Sequence, residues 1–117
     1  MTTNVSGKGV PQTINALNTN AAQSNAIDVD YFEYADVVLD ITAGTGNVTY
    51  KFTVQYPGRL DYVDLLDAGS ATITQTAPGV YSQVVRVGGA SSLFIETIDV
   101  TTGGYTIAGN AYPLARA

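Results

Sequence analysis

The side chains of this sequence that could do chemistry are its carboxylates. Asp28 and Asp30 lie two residues apart, with Glu33 close behind, and Asp61, Asp64 and Asp67 form a second group. Calcium takes six to eight oxygens, supplied as a rule by a loop that carries several acids and a glycine. Neither group has that spacing, so both read first as solvated acids that keep strand edges soluble, with a weak cation site as the alternative. A glycosidase needs two carboxyls held roughly 5–10 Å apart across a sugar cleft. Glu33 and Glu96 are the only glutamates, and nothing in their spacing brings them together. Gly44-Thr45-Gly46 lacks the Lys-Ser/Thr of a phosphate-binding loop, and a strand, not a helix, follows it. The sequence has no Cys and no His. A thiolate nucleophile, an imidazole base, a disulfide and the usual zinc sites are thereby excluded. The expectation is a protein with no catalytic residues, no cofactor and no metal.

The eight tyrosines are the next candidates. Tyr50, Tyr56 and Tyr105 fall on the inward parity of strands and read as core. Tyr31, Phe32 and Tyr34 cluster with Asp28, Asp30 and Glu33. Three readings stand for that cluster: a capped sheet end, a protein interface, where tyrosine is enriched, or an aromatic platform for sugar.

The elements that must position these groups are strands. Thr, Val, Gly, Tyr and Ile dominate, the composition of strands and tight turns. In 48–56, Val48, Tyr50, Phe52, Val54 and Tyr56 share one parity while Thr49, Lys51, Thr53 and Gln55 share the other. Successive strand side chains point to opposite faces, so this is a half-buried strand. Tyr34 to Ile41 behaves alike, with Val37, Leu39 and Ile41 inward and Asp36 and Asp40 outward. Between them, Ala43-Gly44-Thr45-Gly46-Asn47 reads as a hairpin tip, because Gly and Asn tolerate positive φ. Val80–Val87 and Leu93–Val100, joined by Gly88-Gly89-Ala90-Ser91-Ser92, read as a second hairpin. Both are apolar on both faces: Phe94, Ile98 and Val100 oppose Leu93 and Ile95. Such strands are either central or face a partner subunit. Thr101–Gly104 turns into a strand at Tyr105–Gly109. Leu60–Asp67 fits a strand or one helical turn, and the flanking Pro57-Gly58 and Ala68-Gly69 favour the strand. Ala71–Thr76 is a short strand ended by Ala77-Pro78-Gly79, where Pro then Gly fits a type II turn. Thr13–Leu17 and Ser24–Val29 are the first two strands.

Eight or nine short strands with turns every 8–12 residues predict an all-β antiparallel sandwich. A jelly roll and an immunoglobulin-like sandwich both fit. With 117 residues the chain makes one domain, expected over 12–112. An extended, flexible arm over 1–11 precedes it and a short tail over 113–117 follows. The net charge is −5 and the five cations, Lys8, Lys51, Arg59, Arg86 and Arg116, are scattered. No basic stripe can form from consecutive residues, which argues against nucleic acid. The N-terminus lacks the charged start and apolar run of a signal peptide, and no apolar run approaches the ~20 residues of a membrane span. Synthesis in the cytoplasm is expected, with no membrane partner.

Across residues 12–110 the order of elements is similar to a family. Asn25-Ala26-Ile27-Asp28-Val29, Ala35-Asp36-Val37-Val38-Leu39-Asp40-Ile41 and Gly46-Asn47-Val48-Thr49-Tyr50-Lys51-Phe52-Thr53-Val54-Gln55 resemble small β-sandwich proteins encoded among the structural genes of tailed bacteriophages. Pro78-Gly79-Val80-Tyr81 and Gly104-Tyr105-Thr106-Ile107 resemble that group's closing strands. Where members often carry a Ser-Asp-Gly turn and then a Trp, this chain has Tyr56-Pro57-Gly58-Arg59-Leu60-Asp61-Tyr62. The resemblance implies a virion component, foremost a capsid decoration (cement) protein on the outside of the head. Its implied partner is the major capsid protein and its implied assembly a homotrimer. A carbohydrate-binding module of a tail or fibre, or a tail or head–tail connector subunit, are the alternatives. The side chains expected at the partner interface are Val5 and Val10 of the arm, Tyr31, Phe32 and Tyr34 of the aromatic cluster, and Phe94 and Ile98. The doubly apolar strands 80–87 and 92–100 would supply contacts between subunits.

Overall fold

The computed structural model describes residues 10–66 and 71–115. They form nine strands: β1 (Gln12–Leu17), β2 (Ile27–Asp28), β3 (Tyr34–Thr42), β4 (Val48–Gln55), β5 (Val63–Asp64), β6 (Ile73–Gln75), β7 (Gly79–Arg86), β8 (Ser92–Asp99) and β9 (Thr106–Leu114). One sheet runs β1-β9-β3-β7 and the other β2-β8-β4-β5, with β6 also paired to β4. Every pairing is antiparallel. Taking β5 and β6 as one interrupted strand, successive strands step from sheet to sheet in jelly-roll order. Of the two sandwiches the sequence allows, this is the first.

The inner faces follow the period of two. Ala35, Val37, Leu39 and Ile41 of β3 are buried against Val48, Tyr50, Phe52 and Val54 of β4 and Leu93 and Ile95 of β8, in one core. Each buried aliphatic side chain contributes roughly 1.5–3 kcal/mol, which fixes the register of strands that have one wet face.

Three connections differ from expectation. Residues 43–47 do not close a hairpin, because β3 pairs with β7 and β9 whereas β4 pairs with β8, β5 and β6. The loop carries the chain from one sheet to the other, with Ala43 and Gly46 at positive φ. The 88–92 segment does the same between β7 and β8. Both strands of each pair bury one face, and those faces meet across the core instead of lying side by side. Gly79 has no positive φ and begins β7, so 77–79 is not a type II turn. Tyr105 anchors two crossings at once. Its ring lies against Gly44 and Gly103, where a Cβ would have no room, and its hydroxyl donates to the Gly46 carbonyl at 2.6 Å.

Val100 reaches the core through a bulge. Tyr50 pairs with Thr97 but Thr49 pairs with Asp99, so Ile98 is an extra residue on β8. The insertion reverses the parity beyond it, and Val100 points inward with no exposure while Ile98 stays outside. β9 runs to Leu114 and pairs there with Tyr34, with Pro113 buried, two residues past the expected end of the domain at 112.

Candidate interaction surface

The aromatic cluster occupies the turn between β2 and β3. Phe32 N–H donates to the Val29 carbonyl at 3.0 Å, and Asp30 N–H donates to Asp28 Oδ1 at 3.0 Å. Asp28 is itself held by the Gln12 amide, which donates to the Asp28 carbonyl at 2.6 Å and accepts its N–H at 2.8 Å. The side chain of Gln12 thus acts as a strand segment and ties the turn to β1. Tyr31 sits at φ 69°, a conformation that costs a residue with a Cβ roughly 1–2 kcal/mol. Its side chain is fully exposed, at 102% of the reference area. Phe32 and Tyr34 are half-buried. A shallow depression lies beside them, lined by Asp30, Tyr31, Phe32, Glu33, Gly89 and Ala90. Tyr34 lies on the outer face of β3, opposite Arg86 and Leu114.

The other expected contacts divide. Val10 is exposed, and Val5 lies outside the described residues. Ile98 is partly exposed at the bulge. Phe94 is buried, with 6% of its area left, because Tyr62 packs edge-on against it with ring centroids 5.2 Å apart. Phe94 on the outer face of β8 is therefore covered from within the chain, by Tyr62, while Ile98 is not, and β8 is a central strand between β2 and β4. Phe94 offers no free contact surface in this arrangement.

Three ion pairs join neighbouring side chains among the described residues. Arg86 Nε donates to Glu33 Oε1 at 2.9 Å, and Lys51 lies 3.1 Å from Asp64. Glu96 accepts from the Thr53 hydroxyl at 2.6 Å and from Gln23 at 3.3 Å. The two glutamates thus have separate partners. Arg59 forks onto Asp61 at 2.9 and 3.0 Å. That hydrogen bond, more than charge alone, lowers the pKa of Asp61, and the same contact raises that of Arg59. The hydrogen bond that Arg86 donates to Glu33 likewise raises the pKa of Arg86. Asp67 lies outside the described residues. Among the described residues no three His, Cys, Asp or Glu side chains converge as metal ligands would.

Apolar surface also gathers where the sequence named no individual residue. Val80 and Val84 on the outer face of β7 are exposed, as are Leu60 and Leu66 beside β5. Behind β7 the two sheets do not seal. Two openings of about 220 Å³ reach Phe52, one passing Leu39 and Tyr50, the other Leu65 and Leu66, with Gln83 between them. The signal for β7 was its double apolar face. Leu60 and Leu66 gave none, because an isolated leucine in a loop carries no period.

An antiparallel jelly roll defines a class of fold and leaves the chemistry open. No family model and no curated protein matches the chain. Among solved structures it is similar to the SPBc2 prophage-derived protein YomS, at TM-score 0.52 and 13% identity, over 91% of this chain and 96% of that one. It also matches a structure described as Bacillus endospore appendages that form a novel family of disulfide-linked pili. There the TM-score is 0.48 and the identity 17%, over 97% and 96% of the two chains. At 13% identity the likeness to YomS is one of fold.

Proposed function

We propose that this chain is a non-enzymatic structural protein of a phage or prophage particle, and foremost a decoration protein that binds the outer surface of the head and bridges neighbouring capsomers. The observation that carries the reading is Tyr31. A large aromatic side chain is held wholly in solvent, on a backbone turn that costs free energy, at the end of a rigid sandwich. Strain kept at an exposed residue is a mark of a contact made elsewhere. The sequence resemblance to phage structural proteins supports the same reading, as does the fold shared with a prophage-derived protein over nearly the whole of both chains. Such a protein works by burying surface against its partner, the major capsid protein, and needs no reactive group. The test is co-sedimentation with purified undecorated heads. Saturable, stoichiometric binding that Tyr31→Ala weakens supports the role, and no binding at any ratio removes it.

An exposed aromatic beside carboxylates also suits a sugar ring, and Tyr31 favours carbohydrate binding as the second reading. A glycan array separates the two: a signal abolished by Tyr31→Ala, with no affinity for heads, selects the sugar.

A further inference from the structure

The four sheet edges of the molecule are managed differently. β2 and β5 have two residues each and β6 has three, so they offer little to pair with. β1 is broken by an irregularity between Ile14 and Leu17. β7 has no such device. Its eight residues, Gly79–Arg86, pair with β3 in one unbroken register, and they include no proline, no lysine and no bulge. Its other edge pairs with no described residue. Natural sheets rarely leave a long, straight, apolar edge open unless something adds to it.

We propose that the occupant of this edge is β7 of a second copy, paired antiparallel about a two-fold axis through Ser82, so that two four-stranded sheets become one of eight. The register follows from parity. Opposed residues in an antiparallel pair share a face, and the outward set of β7 is Val80, Ser82, Val84 and Arg86. Centring the axis on Ser82 places Val80 of each copy opposite Val84 of the other, making two apolar cross-strand pairs on either side of the serines. On the inner face it brings Tyr81 of the second copy beside Gln83, the bar between the two openings onto the core. The second layers then meet on the same side, where Leu66 lines the opening shared with Val84 and Val85. Charge does not oppose the contact: the outward acids Asp36 and Asp40 lie one strand back on β3.

The area is sufficient for a reversible dimer. Eight residues span about 26 Å, and two layers with their side chains are roughly 20 Å deep. Each copy thus buries about 500 Å², and the pair about 1,000 Å², the lower bound of specific interfaces. A two-fold pair differs from the homotrimer that the family resemblance implies, and the inference stands whichever particle the chain serves.

Sedimentation equilibrium of the full chain from about 1 µM to about 1 mM is expected to show mass rising from one copy to two. Because the sequence has no cysteine, the register can be read by cross-linking. Directly opposed residues lie 4.5–5.5 Å apart at Cα, within disulfide reach. Ser82→Cys is expected to give a dimer on a non-reducing gel after mild oxidation with copper–phenanthroline. Val80→Cys and Val84→Cys alone are not, whereas the double variant is. As a check free of oxidation, Val80→Lys/Val84→Lys sets like charges opposite each other, keeps each lysine beside an aspartate of β3, and is expected to stay monomeric with an unchanged circular-dichroism spectrum. A constant monomer mass, a trimer, a Lys variant that still dimerises, or cross-linking of Val80→Cys ahead of Ser82→Cys would each overturn the proposal.

Discussion

Replacing Tyr31 separates what the turn costs from what it does. The residue sits at φ 69° with its side chain fully in solvent, so truncation removes no packing. Tyr31→Ala keeps the Cβ and with it the backbone penalty, and is expected to change stability by less than about 0.5 kcal/mol. Tyr31→Gly removes the penalty of about 1–2 kcal/mol but frees the unfolded chain, which costs about 0.4–1 kcal/mol. The balance favours glycine over alanine by roughly 0.5–1 kcal/mol, or a few degrees in Tm for a domain of this size. Urea titration at constant m is the assay, since it reads ΔG without a change in the exposed surface. Both variants are expected to bind heads more weakly than the parent, whatever their stability. Should glycine prove no more stable than alanine, the turn stores no strain, and the argument that the tyrosine is kept for contact collapses.

Further tests concern the frame. Gly109→Ala would drive a Cβ into the Val38 carbonyl of the neighbouring strand, and a loss of about 1–3 kcal/mol, or failure to accumulate as folded protein, is expected from thermal melts. Thr97→Val removes the hydroxyl that accepts Ala22 N–H at 2.9 Å and donates to the Thr19 carbonyl at 2.6 Å. About 1–3 kcal/mol should be lost, with faster amide exchange in 18–24. Tyr105→Phe gives up only the bond to Gly46, whose carbonyl can turn to water, so about 0.5–1.5 kcal/mol is expected in the same melts. Asp61 has a folded pKa lowered by Arg59, so its contribution is present above the ordinary carboxylate range and is lost as pH falls through the depressed value. Asp61→Asn should therefore lower Tm slightly at neutral pH, with the gap closing in acid below the model-peptide pKa of 3.8.

What could be read from the residues was periodicity. β3 and β4 alternate cleanly because one face of each is wet, and their bounds fall within a residue or two of those expected. Partnership could not be read. A glycine-rich loop looks the same whether it closes a hairpin or carries the chain across a sandwich, so 43–47 and 88–92 read as hairpins although both cross between the sheets. The inward turn of Val100 depends on one inserted residue, Ile98, which parity counting passes over. Phe94 resembled a surface contact because its cover, Tyr62, lies thirty-two positions earlier in a segment with only two strand residues. At the aromatic cluster the residue types were legible, but the positive φ of Tyr31 was not. Nothing in Asp30-Tyr31-Phe32 announces a left-handed backbone where glycine would be expected.

The pairing of β1 and β3 on either side of β9 sets a limit on when this protein can fold. During synthesis the first sheet lacks its middle until residues 106–114 have left the ribosome. Until then β1 and β3 present apolar faces with no strand between them, and with little local pairing to shelter them. A nascent chain of this design waits for β9, and any stop codon or cleavage ahead of Thr106 would leave a fragment fit for aggregation or proteolysis instead of a shorter version of the same body.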